Sequence, residues 1–281
     1  MAVGAVRGLF ELTRPVNAVA AGVLTLIGAF VAGGLFDSPV PAAAAAGATV
    51  LATGAGNAIN DYFDREIDRI NQPNRPIPRG AVSPRGTLVF SLALFAGAVA
   101  LALTLPALAI AIALVNLLLL VAYTQLFKGL PGVGNAVVAA LGGSTFLFGG
   151  AAVGDAATPG VLFVLAALAT FTREVIKDVE DLEGDREEGL NTLPIAIGKR
   201  PALRAGVCCL LVAVLASPLP YLFGSLGVVY LLAVLPANAL MLAAAYTSFH
   251  DPTAGQQRLK YGMFLAAGAF VLGRVAVIVP I

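Results

Sequence analysis

Apolar residues fill runs of about twenty positions along nearly the whole chain, and polar residues are confined to the stretches between them. A run of that length crosses the ~30 Å hydrocarbon core of a bilayer as one helix. Nine can be read, at residues 16–36, 40–59, 87–105, 107–127, 133–153, 159–176, 203–222, 226–246 and 263–281. Proline marks the breaks, at Pro39, Pro41, Pro106, Pro131, Pro159 and Pro252. It lacks a backbone N–H and disfavours helix in the residue before it. The pattern predicts an all-α polytopic membrane protein, a single domain over residues 1–281 with nine transmembrane helices around a central cavity.

Composition agrees: of 281 residues 59% are hydrophobic and 12% charged, with mean hydropathy +0.90. Soluble globular domains do not look like this. A net charge of +1 gives no footing for nucleic acid. Cys208 and Cys209 are adjacent within an apolar run, with no zinc-like spacing. The first run is too long for a signal-peptide core and reads as a retained span.

The distribution of charge predicts orientation. Lys and Arg precede the first run, recur between the second and third, follow the fourth, surround the sixth-to-seventh connection and precede the ninth. The alternate connections carry only Asp37 and Asp155. By the positive-inside rule the N-terminus and the long charged loops are cytoplasmic, and the C-terminus is outside.

Two of those loops begin with the same pattern, D-x-x-D-x-x-x-D: Asp61, Asp64 and Asp68, then Asp178, Asp181 and Asp185. On a continuous helix each set would share one face, projecting three carboxylates together. Such carboxylates repel unless a cation sits among them. The stretches lie 117 residues apart, and each leads to a proline-containing turn, Arg75 to Gly80 and Thr192 to Gly198. A weak internal duplication follows, helices 1–4 against 5–8 with helix 9 appended, which would turn the two clusters toward one cavity.

Hard oxygen ligands without His or Cys suit magnesium, which binds through few carboxylates together with substrate phosphates. Asn60 adds an oxygen to the first cluster, while Arg75, Arg79, Lys128, Lys177 and Lys199 would neutralise a diphosphate. A diphosphate site opening among apolar helices suits a prenyl diphosphate, whose allyl–oxygen bond breaks once the leaving group is stabilised.

The motifs, with the stretches Asn60 to Gly80 and Arg173 to Asp185, resemble the UbiA-type intramembrane prenyltransferases, and more narrowly the archaeal digeranylgeranylglyceryl phosphate synthases. The resemblance covers essentially the whole chain. It implies transfer of a geranylgeranyl group from its diphosphate to the free hydroxyl of geranylgeranylglyceryl phosphate. It places Asn60, Asp61, Asp64 and Asp68 at one magnesium cluster and Asp178, Asp181 and Asp185 at the other. Tyr123 and Lys128 fall where the family has a tyrosine and a diphosphate-binding lysine; Arg14 and Asn17 match polar groups near the acceptor. The partners implied are a prenyl diphosphate and a lipid-phosphate acceptor.

An aromatic acceptor is the alternative, although the chain has no Trp and few aromatic residues near the loops. A lipid transporter would need a second, outward access route, whereas the outer loops are short and nearly uncharged, and a CDP-alcohol phosphotransferase would need Gly where Arg65 stands. Arg274, inside the last run, is expected to pair structurally near the outer face. Gly142, Gly143, Gly149 and Gly150 are expected at close helix packing.

Overall fold

The computed structural model describes residues 2–127 and 129–279, and all regular structure among them is helical. In order the helices are α1 (Ala2–Leu12), α2 (Pro15–Val31), α3 (Pro39–Phe63), α4 (Arg65–Asn71), α5 (Pro84–Ala102), α6 (Ala107–Ala122) and α7 (Val133–Ala152). They continue with α8 (Ala157–Glu180), α9 (Leu182–Glu187), α10 (Leu193–Ile197), α11 (Lys199–Ala216), α12 (Leu219–Leu222), α13 (Val228–Thr247) and α14 (Pro252–Ile278). A π-helical turn, Tyr123–Phe127, extends α6.

Among the described residues seven helical segments are long and apolar enough to cross a membrane, and α1 with α2 makes an eighth if that pair, bent by 46°, is one span. The remaining expected run, 107–127, is the 16-residue α6 continued by the π turn. The proline breaks fall at helix starts: Pro39 and Pro252 stand in first turns and Pro106 caps α6. There the missing N–H costs nothing.

Two ends differ from the sequence reading. Residues expected as a charged lead-in form α1, whose Leu9 and Leu12 pack with Ala58, Ile77 and Val82 and so dock it on the turn after α4. Helix α14 begins eleven positions before the apolar run, because Asp251 caps it by accepting the Ala254 N–H at 2.9 Å. Hydropathy marks where a helix enters lipid, not where it starts.

Tight packing at the centre depends on glycine. A methyl group at Gly28 of α2 would land on the Phe146 carbonyl of α7, and one at Gly149 on the Thr25 carbonyl. The two backbones therefore touch, as small residues permit between helices in lipid. Gly143 and Gly150 approach backbone similarly, whereas Gly142 faces a cavity. At the end of the bundle away from the acidic stretches, Tyr230 donates to the Ser217 carbonyl at 2.6 Å and Asn238 to the Ser217 hydroxyl at 2.8 Å, joining α11 to α13. The Arg274 guanidinium lies against Gly33, just past the C-terminus of α2. That position suits a cation beside free carbonyls.

Candidate active site

Each acidic stretch is broken in the middle rather than continuously helical. Helix α3 ends at Asp64 (φ −81°, ψ 1°) and α8 at Asp181 (φ −87°, ψ 6°). The same hydrogen bonds flank both breaks: Asp64 N to Asn60 O and Asp181 N to Lys177 O, then Asp68 N to Asp64 O and Asp185 N to Asp181 O, all between 2.8 and 3.0 Å. The break redirects the carboxylates. Three on one face was the expectation; two aspartates of each stretch, Asp64 with Asp68 and Asp181 with Asp185, line one cleft of about 710 Å³, with Glu180, Glu183 and Glu188 beside the second pair. Arg75 and Lys199 line it too.

The first aspartate of each stretch lies behind that cleft. Asp61 is buried and accepts Arg14 at 2.8 Å and Arg75 at 3.5 Å. Arg75 also reaches Asp68, at 2.6 Å, so one guanidinium ties two carboxylates of the first stretch together. Asp178 instead accepts a hydrogen bond from the Asn135 amide of α7, at 2.8 Å. Arg14 and Arg75 thus place positive charge from the chain beside two of the first three carboxylates.

Arg14 holds its place at some cost. It is the only described non-glycine residue with positive φ (45°), the left-handed region that L residues avoid. There it precedes α2 as its N-cap, while Asn57 donates to the Thr13 carbonyl at 2.9 Å and fixes the turn to α3.

Beneath the cleft is a second, apolar cavity of about 640 Å³ between α3, α5, α6 and α7. Asn60 and Tyr123 stand at its upper end, and Ala48, Leu103 and Phe148 at the lower. From Ala48 to Asn60 along α3 is about 18 Å at 1.5 Å per residue. Asn60 is one helical turn from Asp64, so the polar cleft and the apolar cavity adjoin.

Other sequence candidates sit further out. Arg79 pairs with Glu11 of α1 at 2.5 Å and donates to the Asn74 carbonyl at 2.9 Å, bracing the turn rather than lining the cleft. Lys177 and Asn17 are exposed and line neither cavity. Lys128 lies outside the described residues. Sequence reasoning missed Asn135, which lies 43 positions from Asp178, beyond any local pattern.

The cleft fits magnesium by its chemistry. Its ionisable lining is carboxylate, arginine and lysine, with no His or Cys. Among the described residues no three His, Cys, Asp or Glu side chains form a ready-made metal cage. A hard cation held by a few carboxylates and completed by phosphate oxygens needs no such cage.

Residues 21–268 match the model of the UbiA prenyltransferase family. The chain is 67% identical to the digeranylgeranylglyceryl phosphate synthase of Natronomonas pharaonis, over 97% of this chain and 99% of that one. It is 60% identical to the synthase of the same name from Haloquadratum walsbyi, over 99% and 98%. Among solved structures, one of a digeranylgeranylglyceryl phosphate synthase superposes with a TM-score of 0.84 at 33% identity, covering 96% of this chain and 99% of that one. A UbiA homologue from Archaeoglobus fulgidus, bound to GPP and Mg2+, shares the fold at TM-score 0.71 and 19% identity, over 97% of this chain and all of that one.

Proposed function

Because this chain belongs to the UbiA prenyltransferase family, we propose that it moves a geranylgeranyl group from geranylgeranyl diphosphate to the free hydroxyl of geranylgeranylglyceryl phosphate, making an ether bond. One observation carries the reading: a cleft lined by two aspartates from each stretch, with Arg75 and Lys199, stands one helical turn from an apolar cavity about 18 Å deep. That is the shape of a diphosphate head with a four-isoprene tail. The names of the relatives favour a glycerol-phosphate acceptor over an aromatic one.

In this reading Asp64, Asp68, Asp181 and Asp185 hold magnesium with the diphosphate, and Asp61 and Asp178 orient the groups around them. Magnesium would supply positive charge to the departing diphosphate. Arg75 and Lys199, already in the cleft, bind its oxygens, and Lys128 joins them by resemblance. The C1–oxygen bond breaks with its electron pair going to diphosphate; the acceptor oxygen bonds to C1 and gives up its proton to the departing diphosphate. The tail lies against Ala52, Thr53, Leu117 and Leu141 in the cavity, which keeps water from the allylic carbon. Arg14 and Asn17 serve the acceptor end. The shared backbone break at Asp64 and Asp181 supports the duplication of helices 1–4 and 5–8. The charge distribution supports a cell-membrane protein with its N-terminus and both acidic stretches cytoplasmic.

The test is single-turnover diphosphate release from geranylgeranyl diphosphate and magnesium, with and without geranylgeranylglyceryl phosphate. Release that requires this acceptor establishes the activity. Release only with an aromatic acceptor, or tight diphosphate binding without release, sinks it.

A further inference from the structure

Below Asn60 and Tyr123 the wall of the apolar cavity carries five side chains that can hydrogen-bond: Thr49, Thr53, Asn57, Asn116 and Thr145. Three are engaged by backbone carbonyls, Asn57 by Thr13 at 2.9 Å, Thr49 by Ala45 at 3.0 Å and Thr145 by Gly142 at 2.8 Å. Thr53 and Asn116 differ. Among the described residues neither side chain has a hydrogen-bond partner. Polar side chains in membrane helices ordinarily bond to a neighbouring helix. An amide facing hydrocarbon without a partner is disfavoured.

The two stand at one depth. Thr53 is seven positions below Asn60 on α3 and Asn116 seven below Tyr123 on α6, about 10 Å in each case at 1.5 Å per residue. One turn nearer the cleft the same helices meet across the cavity: a methyl group on Gly56 would come within 3.2 Å of the Leu120 side chain. Thr53 and Asn116 lie three and four positions beyond that contact, on the same helix faces. They therefore oppose one another just past the middle of the cavity.

A four-isoprene tail that fills the cavity from the cleft brings its middle double bonds to this level. The π electrons of an alkene accept a weak hydrogen bond from an N–H or O–H, and a saturated chain offers none. We propose that Asn116 and Thr53 are specificity residues that read unsaturation in the middle of the donor's tail, favouring a geranylgeranyl chain over a reduced chain of equal length. The inference rests on the cavity holding the donor's tail, and the experiment keeps the two apart. The contacts lie far from C1 and are the same before and during reaction, so they act on KM and not on kcat.

The experiment measures kcat and KM with geranylgeranyl diphosphate and with phytyl diphosphate, magnesium and geranylgeranylglyceryl phosphate being present throughout. Phytyl diphosphate keeps the allylic double bond that reacts and is otherwise saturated. The wild type should favour the geranylgeranyl donor about ten-fold in kcat/KM, the size expected of two weak contacts, with kcat alike for both. Asn116→Leu and Thr53→Val should each lower that preference about three-fold through a higher KM for the geranylgeranyl donor. The double variant should bring the two donors level. Thr53→Ser, which keeps the hydroxyl, should retain the wild-type preference.

A wild type that uses both donors equally overturns the inference. So does a preference that survives in the double variant, which would assign it to chain shape. Thr53→Val keeps the side chain's shape and decides the matter if Asn116→Leu does not fold: an unchanged preference there overturns the inference too. A wild type that turns over neither donor refutes the prenyl-transfer reading itself.

Discussion

Arg14 and Asp61 are 47 positions apart and meet at 2.8 Å, the arginine in a left-handed backbone conformation and the aspartate buried. The contact joins the start of α2 to the last turn of α3 and fixes the rear wall of the acidic cleft. Arg14→Ala removes the partner of a buried charge. Because the Arg14 side chain is 41% exposed, the expected loss is about 1–2 kcal/mol rather than that of a fully buried pair. Thermal melts of Arg14→Ala, Asp61→Asn and the double variant should show coupling of about 1 kcal/mol. Additive effects would mean that the pair contributes nothing to stability.

Asp64 and Asp185 come from different stretches and line the same cleft. Alanine at either position should lower single-turnover diphosphate release by at least about a thousand-fold, as expected for groups that stabilise transition-state charge. The double variant should lose little more than the worse single one, since both serve one event. EDTA should abolish release and added magnesium restore it.

Asn135 directs Asp178 through its amide. Asn135→Leu keeps the branched shape and deletes the hydrogen bond. The magnesium concentration for half-maximal rate should rise about ten- to a hundred-fold, as for outer-shell partners of metal ligands. An unchanged magnesium dependence would remove Asn135 from the site.

Gly149 lets α7 rest on the backbone of α2. Gly149→Ala should destabilise by about 3 kcal/mol or prevent folding, since the obstructing atom is a backbone carbonyl that cannot rotate away. Gly268→Ala, with nothing within 4 Å of the added methyl, is the control. It should be neutral or stabilising by about 0.5–1 kcal/mol. Melting temperatures in detergent read both.

Ala52 lines the apolar cavity about a third of the way from Ala48 to Asn60. Ala52→Phe should block the lower part and lower kcat/KM for geranylgeranyl diphosphate at least about ten-fold, with geranyl diphosphate spared, the size of effect a misfit in an apolar pocket produces. Equal losses for both donors would place the tail elsewhere.

The apolar runs, the proline-marked breaks and the two spaced acidic stretches are legible in the sequence because each is local: hydropathy over twenty residues, a missing N–H, carboxylates three and four apart. The family resemblance rests on those same local signals, as does the expectation that Arg75 and Lys199 stand near the carboxylates. Three things were not legible. The backbone break at Asp64 and Asp181 turns three aligned carboxylates into two facing a cleft and one behind it, and nothing in an aspartate's own propensity demands that break. Asn135 and Arg14 find Asp178 and Asp61 across 43 and 47 positions, and only the helix packing brings them close. That Asp61 meets an arginine and Asp178 an amide is likewise decided by which helix lies beside each. Composition and periodicity set which segments enter the membrane; the charge that each aspartate meets there is set by its neighbours in space.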